Sequence, residues 1–158
     1  MEQKLYIARH AHAGVAETDE ARPLTERGWK QIHRLVSTFK GTTHIAPKVI
    51  WHSHLLRATE TATGLREGLA LSGCREIEKS GLAPYDDPEL IAEEIHGLEE
   101  STLIVGHNPH LSSLVTLLLQ SECDRVVFPK ASILCLSRMK VGTQSTQWQI
   151  EWHVHQKL

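Results

Sequence analysis

The stretch Leu5-Tyr6-Ile7-Ala8-Arg9-His10 joins a short apolar run directly to an arginine and a histidine. Such a run is typical of a strand covered on both faces, as in a parallel sheet between helix layers. Two other stretches have the same form. Residues 49–51 are followed by His52-Ser53, and residues 102–105 are followed by Gly106-His107-Asn108. The sequence therefore predicts three buried strands that each end in polar residues.

Helical periodicity fills the segments between these strands. Apolar residues recur at spacings of three and four after Thr25, a residue that can cap a helix, and again over residues 55–69. Two further helices are predicted, one after Pro88 and one that starts at Pro109 with Asn108 as its N-cap. Strands that alternate with helices pair in parallel through right-handed crossovers. We therefore predict an α/β fold, a three-layer α/β/α sandwich with a mostly parallel central sheet.

The end of the chain has a different pattern. Residues 126–128, 132–137 and 148–154 alternate or carry β-branched and aromatic side chains, which predicts additional strands without long helices. No repeat, low-complexity tract or Pro/Gly-rich linker divides the sequence. We therefore expect a single domain over residues 1–158.

Composition excludes several classes of function. Hydrophobic residues make up 41% and charged residues 23% of the chain, which is ordinary for a globular protein in water. The net charge of −2 provides no basic field for nucleic acid or an anionic membrane. No apolar stretch approaches the roughly 20 residues of a membrane span, and the N-terminus lacks a signal pattern, so we expect a cytoplasmic location. The three cysteines lack CxxC spacing, which argues against a disulfide framework or a cysteine zinc site.

The polar residues after the three strands are suited to phosphate chemistry. The carboxyl ends of parallel strands meet at one edge of a sheet, and ligands bind there. A guanidinium group holds phosphate oxygens bidentately, and a neutral imidazole can attack phosphorus. The side chains expected at this edge are Arg9, His10, Ser53, Arg57, His107 and Asn108. The sequence thus predicts a phosphate site with His10 as the nucleophile.

The three strand ends resemble the signatures of the histidine phosphatase (phosphoglycerate-mutase-like) superfamily. Residues 5–11 are similar to its RHG segment, residues 52–62 to its serine and RAxxTA block, and residues 105–109 to its GHN segment. Residues 22–28 and the small size are most similar to the SixA-type phosphohistidine phosphatases. The resemblance extends from about residue 4 to about residue 138, with the blocks in the order of the superfamily. It implies a phosphoglycerate-mutase-like fold with minimal lid insertions.

The resemblance also implies a two-step hydrolysis that needs no metal and no cofactor. His10 accepts the phosphoryl group, and water then hydrolyses phospho-His10. The implied catalytic and phosphate-binding partners are Arg9, Arg57 and His107, with Arg22, Ser53 and Asn108 as further phosphate ligands. The implied partner is a phosphohistidine-containing protein, with a phosphorelay histidine domain as one candidate.

Two positions depart from the superfamily pattern. Ala11 stands where the signature has glycine, and it fits if its φ angle is negative. No glutamate matches the acid that protonates the leaving group in larger members, and Asp86 and Asp87 are the candidates left for that role. The imidazole of phosphohistidine leaves more readily than an alkoxide, so a weak or absent acid favours a phosphohistidine substrate.

The sequence leaves three alternative functions open. A metal-dependent hydrolase is suggested by the His10/His12, His52/His54 and His153/His155 pairs, although barrels that open with such a pair run to about 250 residues. A non-catalytic phosphate-binding domain could use the same fold. The third is a small-molecule phosphomonoesterase or mutase of the same superfamily, and the short segment 73–88 leaves no room for the closed pocket of a mutase.

Overall fold

The computed structural model describes residues 1–41 and 44–156. Its strands are β1 (Glu2–Arg9), β2 (Val49–His52), β3 (Arg75–Glu78), β4 (Thr102–Gly106), β5 (Ile133–Val141), β6 (Gln144–Ser145) and β7 (Gln149–Val154). Its helices are α1 (Glu26–Phe39), α2 (Leu56–Gly68), α3 (Pro88–His96) and α4 (His110–Leu118).

The strands form one sheet in the order β3-β2-β4-β1-β5-β6, with β7 paired to β5. The first four strands of this order are parallel, whereas β5 runs antiparallel to β1 and pairs antiparallel with β6 and β7. The parallel half contains the three strands predicted from the apolar runs. The antiparallel half comes from the end of the chain, where the sequence predicts strands without crossover helices.

Apolar residues cover the sheet on both faces. Tyr6 and Ala8 of β1 lie in one buried cluster with residues of α1 and α2, and Leu5 and Ile7 lie in a second cluster with residues of α3 and α4. Alternate residues of a strand point to opposite faces, so a continuous apolar run is what two covering layers require. The predicted three-layer α/β/α sandwich is confirmed.

Three local predictions differ from the structure. Residues 126–128 are not a strand: the Val126 and Phe128 side chains are buried, but the Phe128 carbonyl accepts side-chain hydrogen bonds instead of joining the sheet. Strand β3 has no counterpart in the prediction, because three of its four residues are charged. Helix α4 begins one residue later than predicted, and the Asn108 amide bonds to Phe128 and Ser112 rather than capping the helix.

In the described residues, no helix is long and apolar enough to cross a membrane.

Candidate active site

The predicted strand ends meet at one edge of the sheet. Arg9 is in register with Gly106, and His52 with Val105. The His10 backbone N–H donates to the Gly106 carbonyl at 3.1 Å, which continues the ladder one residue beyond β1. As a result the rings of His10 and His107 lie with their centroids 4.9 Å apart.

His10 is held in one tautomer when neutral. Its Nδ1 lies 2.7 Å from the Ala11 carbonyl oxygen, which can only accept a hydrogen bond, so Nδ1 carries the proton and Nε2 keeps its lone pair. The ring is 7% exposed. The pKa of His10 is lowered to about 4, mainly by burial and also by the charges of Arg57, Arg9 and Lys130, against the opposing Ala11 hydrogen bond. The ring is therefore neutral at pH 7.

Ala11 fits the position where the superfamily signature has glycine. It is fully buried, and its φ angle is not positive. Its backbone N–H donates to the Thr61 hydroxyl of α2 at 3.1 Å. The turn after β1 therefore does not require the left-handed backbone conformation that only glycine adopts freely.

His107 is oriented by Ser53. The Ser53 Oγ lies 2.5 Å from Nε2 of His107 and also accepts the Leu55 backbone N–H at 3.3 Å. Nδ1 of His107 is buried and has no hydrogen-bond partner among the described residues. The pKa of His107 is lowered to about 2, mainly by burial and also by His10 and Arg57. Ser53, predicted as a phosphate ligand, is fully buried behind this histidine and contacts it directly.

Arg9 and Arg57 bring guanidinium groups to the same edge. One terminal nitrogen of Arg9 donates to the Phe128 carbonyl at 2.8 Å, and its buried Nε has no protein partner. Arg57 is 5% exposed and donates to the Asp19 carbonyl at 2.9 Å. Each guanidinium thus keeps N–H groups beyond those already bonded to protein, as phosphate binding requires.

Arg22 joins these groups through Asp19. The Asp19 carboxylate lies 3.1 Å from Arg22 and 3.2 Å from Arg57, and Arg22 also donates through Nε to the Gly14 carbonyl at 2.7 Å. The hydrogen bond from Arg22 is the main cause that lowers the pKa of Asp19, with that from Arg57 acting in the same direction. Asp19 was not among the predicted site residues, since an aspartate in a polar loop carries no periodic or motif signal.

Lys130 is a second residue near the site that the sequence did not predict. Burial lowers the pKa of its ammonium group, and Arg9, Arg22, Arg27 and Arg57 lower it further. The next residue, Ala131, donates its backbone N–H to the carbonyls of Arg9 and His10. This turn places Lys130 beside the nucleophile, although it is distant from His10 along the chain.

The remaining candidates are engaged locally. Asn108 Nδ2 donates to the Phe128 carbonyl at 3.2 Å, so the amide fixes the loop that also receives Arg9. Asp86 accepts the Ala83 backbone N–H at 2.9 Å, and Asp87 caps α3 by accepting the Glu89 N–H at 3.0 Å. Both carboxylates thus serve the loop between β3 and α3.

The paired histidines do not assemble a metal centre in the described part of the chain, where no group of three or more His, Cys, Asp or Glu side chains could hold an ion. Nδ1 of His12 lies 2.7 Å from the Thr25 hydroxyl, and His54 lies 3.6 Å from Glu20. The ring centroids of His153 and His155 lie 5.4 Å apart.

Comparison with known proteins supports the class that the strand ends suggest. Residues 5–79 match the family model of the histidine phosphatase superfamily (branch 1). No curated protein sequence matches the chain.

Solved structures extend the likeness to almost the whole chain. A structure of the protein histidine phosphatase SixA complexed with tungstate has a TM-score of 0.79 at 24% identity, covering 96% of both chains. A putative SixA from Agrobacterium tumefaciens has a TM-score of 0.80 at 20% identity, covering 98% of both chains. A phosphoglycerate mutase from Bacillus anthracis has a TM-score of 0.70 at 16% identity, covering 95% of this chain and 92% of that one.

The chain thus has the phosphoglycerate-mutase-like fold of these structures, and its residues 5–79 match the family model of the histidine phosphatase superfamily. Its TM-scores against the two SixA structures are higher than that against the phosphoglycerate mutase.

Proposed function

We propose that the protein is a metal-independent phosphohistidine phosphatase that acts through a phospho-His10 intermediate. The observation that carries the proposal is the state of His10: a buried, neutral imidazole with Nδ1 bonded to the Ala11 carbonyl and Nε2 free, beside two arginines and a second histidine. A neutral imidazole nitrogen among fixed cations is what in-line attack on a phosphoryl group requires.

In the first step, the lone pair of His10 Nε2 forms a bond to phosphorus while the bond from phosphorus to the substrate imidazole breaks. The N–H groups of Arg9 and Arg57 beyond those bonded to Phe128 and Asp19 are proposed to bind the equatorial oxygens. Arg22, bound to the same aspartate as Arg57, supplies a third guanidinium. These groups stabilise the charge that develops in the transition state.

His107 contributes a dipole rather than a charge. With its pKa at about 2, the ring is neutral at pH 7 and carries one proton. If the Ser53 hydroxyl donates to Nε2, that proton is on Nδ1, the nitrogen without a protein partner. Ser53 is thus proposed to hold His107 as an N–H donor to a phosphate oxygen.

In the second step, water attacks phospho-His10, and the products are inorganic phosphate and the free imidazole. The departing substrate imidazole takes its proton from solvent in this scheme. The local hydrogen bonds of Asp86 and Asp87 support a substrate whose leaving group needs no strong acid. A phosphoprotein substrate fits this chemistry better than a sugar phosphate or phosphoglycerate.

The test compares kcat/KM for a phosphohistidine protein with that for p-nitrophenyl phosphate and sugar phosphates, in the presence of EDTA. We expect a large preference for phosphohistidine, no loss of rate with EDTA, and trapping of acid-labile phosphate on the wild type but not on His10→Asn. A preference for phosphoesters would instead identify a small-molecule phosphomonoesterase. Phosphate binding without turnover of any of these substrates would identify a non-catalytic binding domain.

A further inference from the structure

The edge of the sheet around His10 carries more positive charge than one phosphoryl group needs. Lys130 and Arg27 lie at this edge in addition to Arg9, Arg22 and Arg57, and the charges of all four arginines act on Lys130. Neither Lys130 nor Arg27 forms an ion pair or side-chain hydrogen bond with any residue in the ranges 1–41 and 44–156. The net charge of the whole chain is −2, so this concentration of cations is local.

Both cations have fixed backbone positions. Lys130 lies in the turn that Ala131 ties to the carbonyls of Arg9 and His10, at 3.2 Å and 3.1 Å. Arg27 is exposed in the first turn of α1, whose cap Thr25 bonds to His12 of the loop after β1. Like charges that are held together without partners destabilise the folded chain, so their arrangement calls for an anion from outside.

Exposed apolar side chains accompany these cations. Val15 is 93% exposed, although the flanking Gly14 is bonded in both directions, to Pro23 and to Arg22. Val127 is 78% exposed between the buried Val126 and Phe128. Val15 lies in the loop after β1, and Val127 lies in the loop before β5, the strand that pairs with β1. Val15 and Val127 thus present apolar surface on the two loops that adjoin β1 and β5.

We infer that Lys130 and Arg27, with Val15 and Val127, form a docking surface for an acidic segment of a phosphoprotein, next to its phosphorylated histidine. The inference rests on the proposed function and extends it to the chemistry that surrounds the phosphorylated residue. Lys130 and Arg27 pair with carboxylates of the partner, while Arg9 and Arg57 hold the phosphoryl group. Charge complementarity of this kind sets partner choice and association rate.

The test uses three synthetic peptides of equal length, each with one phosphohistidine, whose flanking residues are acidic, neutral or basic. We expect the wild type to hydrolyse the acidic peptide with kcat/KM roughly threefold to tenfold above that for the neutral peptide, and the basic peptide to be slowest. The double variant Arg27→Glu/Lys130→Glu should reverse the order of the acidic and basic peptides. The ratio between peptides is the readout because Lys130 also influences the pKa of His10, and that effect cancels in the ratio.

Lys48→Glu is the matched control. Lys48 is exposed at the start of β2, at the opposite edge of the sheet, so its reversal should leave the peptide ratios unchanged. Equal rates for all three peptides, or an unchanged order in the double variant, would overturn the docking surface while leaving the phosphatase intact. Absence of phosphohistidine hydrolysis by the wild type would overturn the proposed function itself. Binding of the wild type to phosphatidylserine vesicles, lost in the double variant, would assign the surface to a membrane instead.

Discussion

The imidazole of His10 combines two properties that oppose each other in water. It must be unprotonated to attack phosphorus, yet it must lie among cations that bind the phosphoryl oxygens. The structure reconciles them, since burial and the neighbouring arginines lower the pKa of the ring while the Ala11 carbonyl fixes the proton on Nδ1. The cations that would bind substrate are the same groups that keep the nucleophile neutral.

We therefore predict that His10 titrates near pH 4 in the ligand-free protein, well below the value of about 6.5 for an ordinary histidine. An NMR titration of the imidazole carbons, with His10→Asn used to assign the signal, measures this directly. Arg57→Gln should move the midpoint upward because it removes a positive charge that opposes protonation. A midpoint close to 6.5 in the wild type would contradict both the burial and the cation effect.

A second prediction concerns Ser53, the hydroxyl behind His107. Ser53→Ala should lower kcat about tenfold, because His107 loses the partner that fixes its ring and its tautomer. The fall should appear in single-turnover kinetics on a phosphohistidine peptide. Ser137→Ala is the control: Ser137 is also buried and hydrogen bonded, to Glu151, but lies on β5 away from the site. An equal loss in both variants would indicate general destabilisation instead.

Some residues of the site could be predicted from the sequence, and others could not. His10, Arg9 and His107 follow buried strands directly, so an apolar run and the convergence of strand ends are enough to bring them together. Asp19 and Lys130 lie in loops of irregular backbone. Their positions depend on long-range hydrogen bonds, from Arg57 to Asp19 and from Ala131 to Arg9 and His10, that no local pattern encodes.

At the scale of elements, the start of α1 packs directly on the loop that follows β1. A Cβ atom added to Gly28 would lie 2.2 Å from the His12 carbonyl oxygen, and backbone rather than a flexible side chain makes the contact. The sequence shows Gly28 near the start of a helix, where glycine is unfavourable, without showing what approaches it. The close approach is what places the loop with Arg22 and Asp19 over the site.

Gly28→Ala should therefore lower the free energy of unfolding by roughly 1–3 kcal/mol, in spite of alanine's better helix propensity. It should also raise KM, because the displaced loop carries Arg22. Chemical denaturation and steady-state kinetics measure the two effects. Gly73→Ala is the matched control, since an added Cβ there meets nothing within 4 Å. A Gly28→Ala variant as stable as the wild type would show that α1 can move away from the loop at little cost.

At the scale of the whole molecule, alternation of strands and helices predicted the layers but not the strand order. Periodicity reports which face of an element is buried. Strands β2 and β4 are both buried along their whole length, so burial does not distinguish their places in the sheet. That β4 lies between β2 and β1 follows from long-range pairing, which no window of sequence contains. Strand β3 escaped prediction for the related reason that an edge strand needs little apolar surface.

The same burial that tunes the site makes the stability of the fold depend on pH. Burial lowers the pKa of His10, His107 and His110 in the folded chain, whereas in the unfolded chain each titrates near 6.5. Below about pH 6.5 the unfolded state therefore binds more protons than the folded state. The contribution of these histidines to the free energy of unfolding is complete above that pH, and it is lost as the pH drops toward the folded pKa values. Asp86 and Asp87 oppose this effect at His110.

We predict that the free energy of unfolding, from urea denaturation, decreases steadily between pH 7.5 and pH 5.5, a range in which ordinary carboxylates stay ionised. His110→Leu should reduce this slope, because it removes a 2% exposed ring, outside the proposed phosphate site, whose pKa is lowered by burial. His33→Gln, on the exposed face of α1, should leave the slope unchanged. If His110→Leu kept the full slope, the pH dependence of stability would have to come from His10 and His107 alone. Phosphate binds at those two residues in the proposed site, so adding phosphate would then be expected to change the slope.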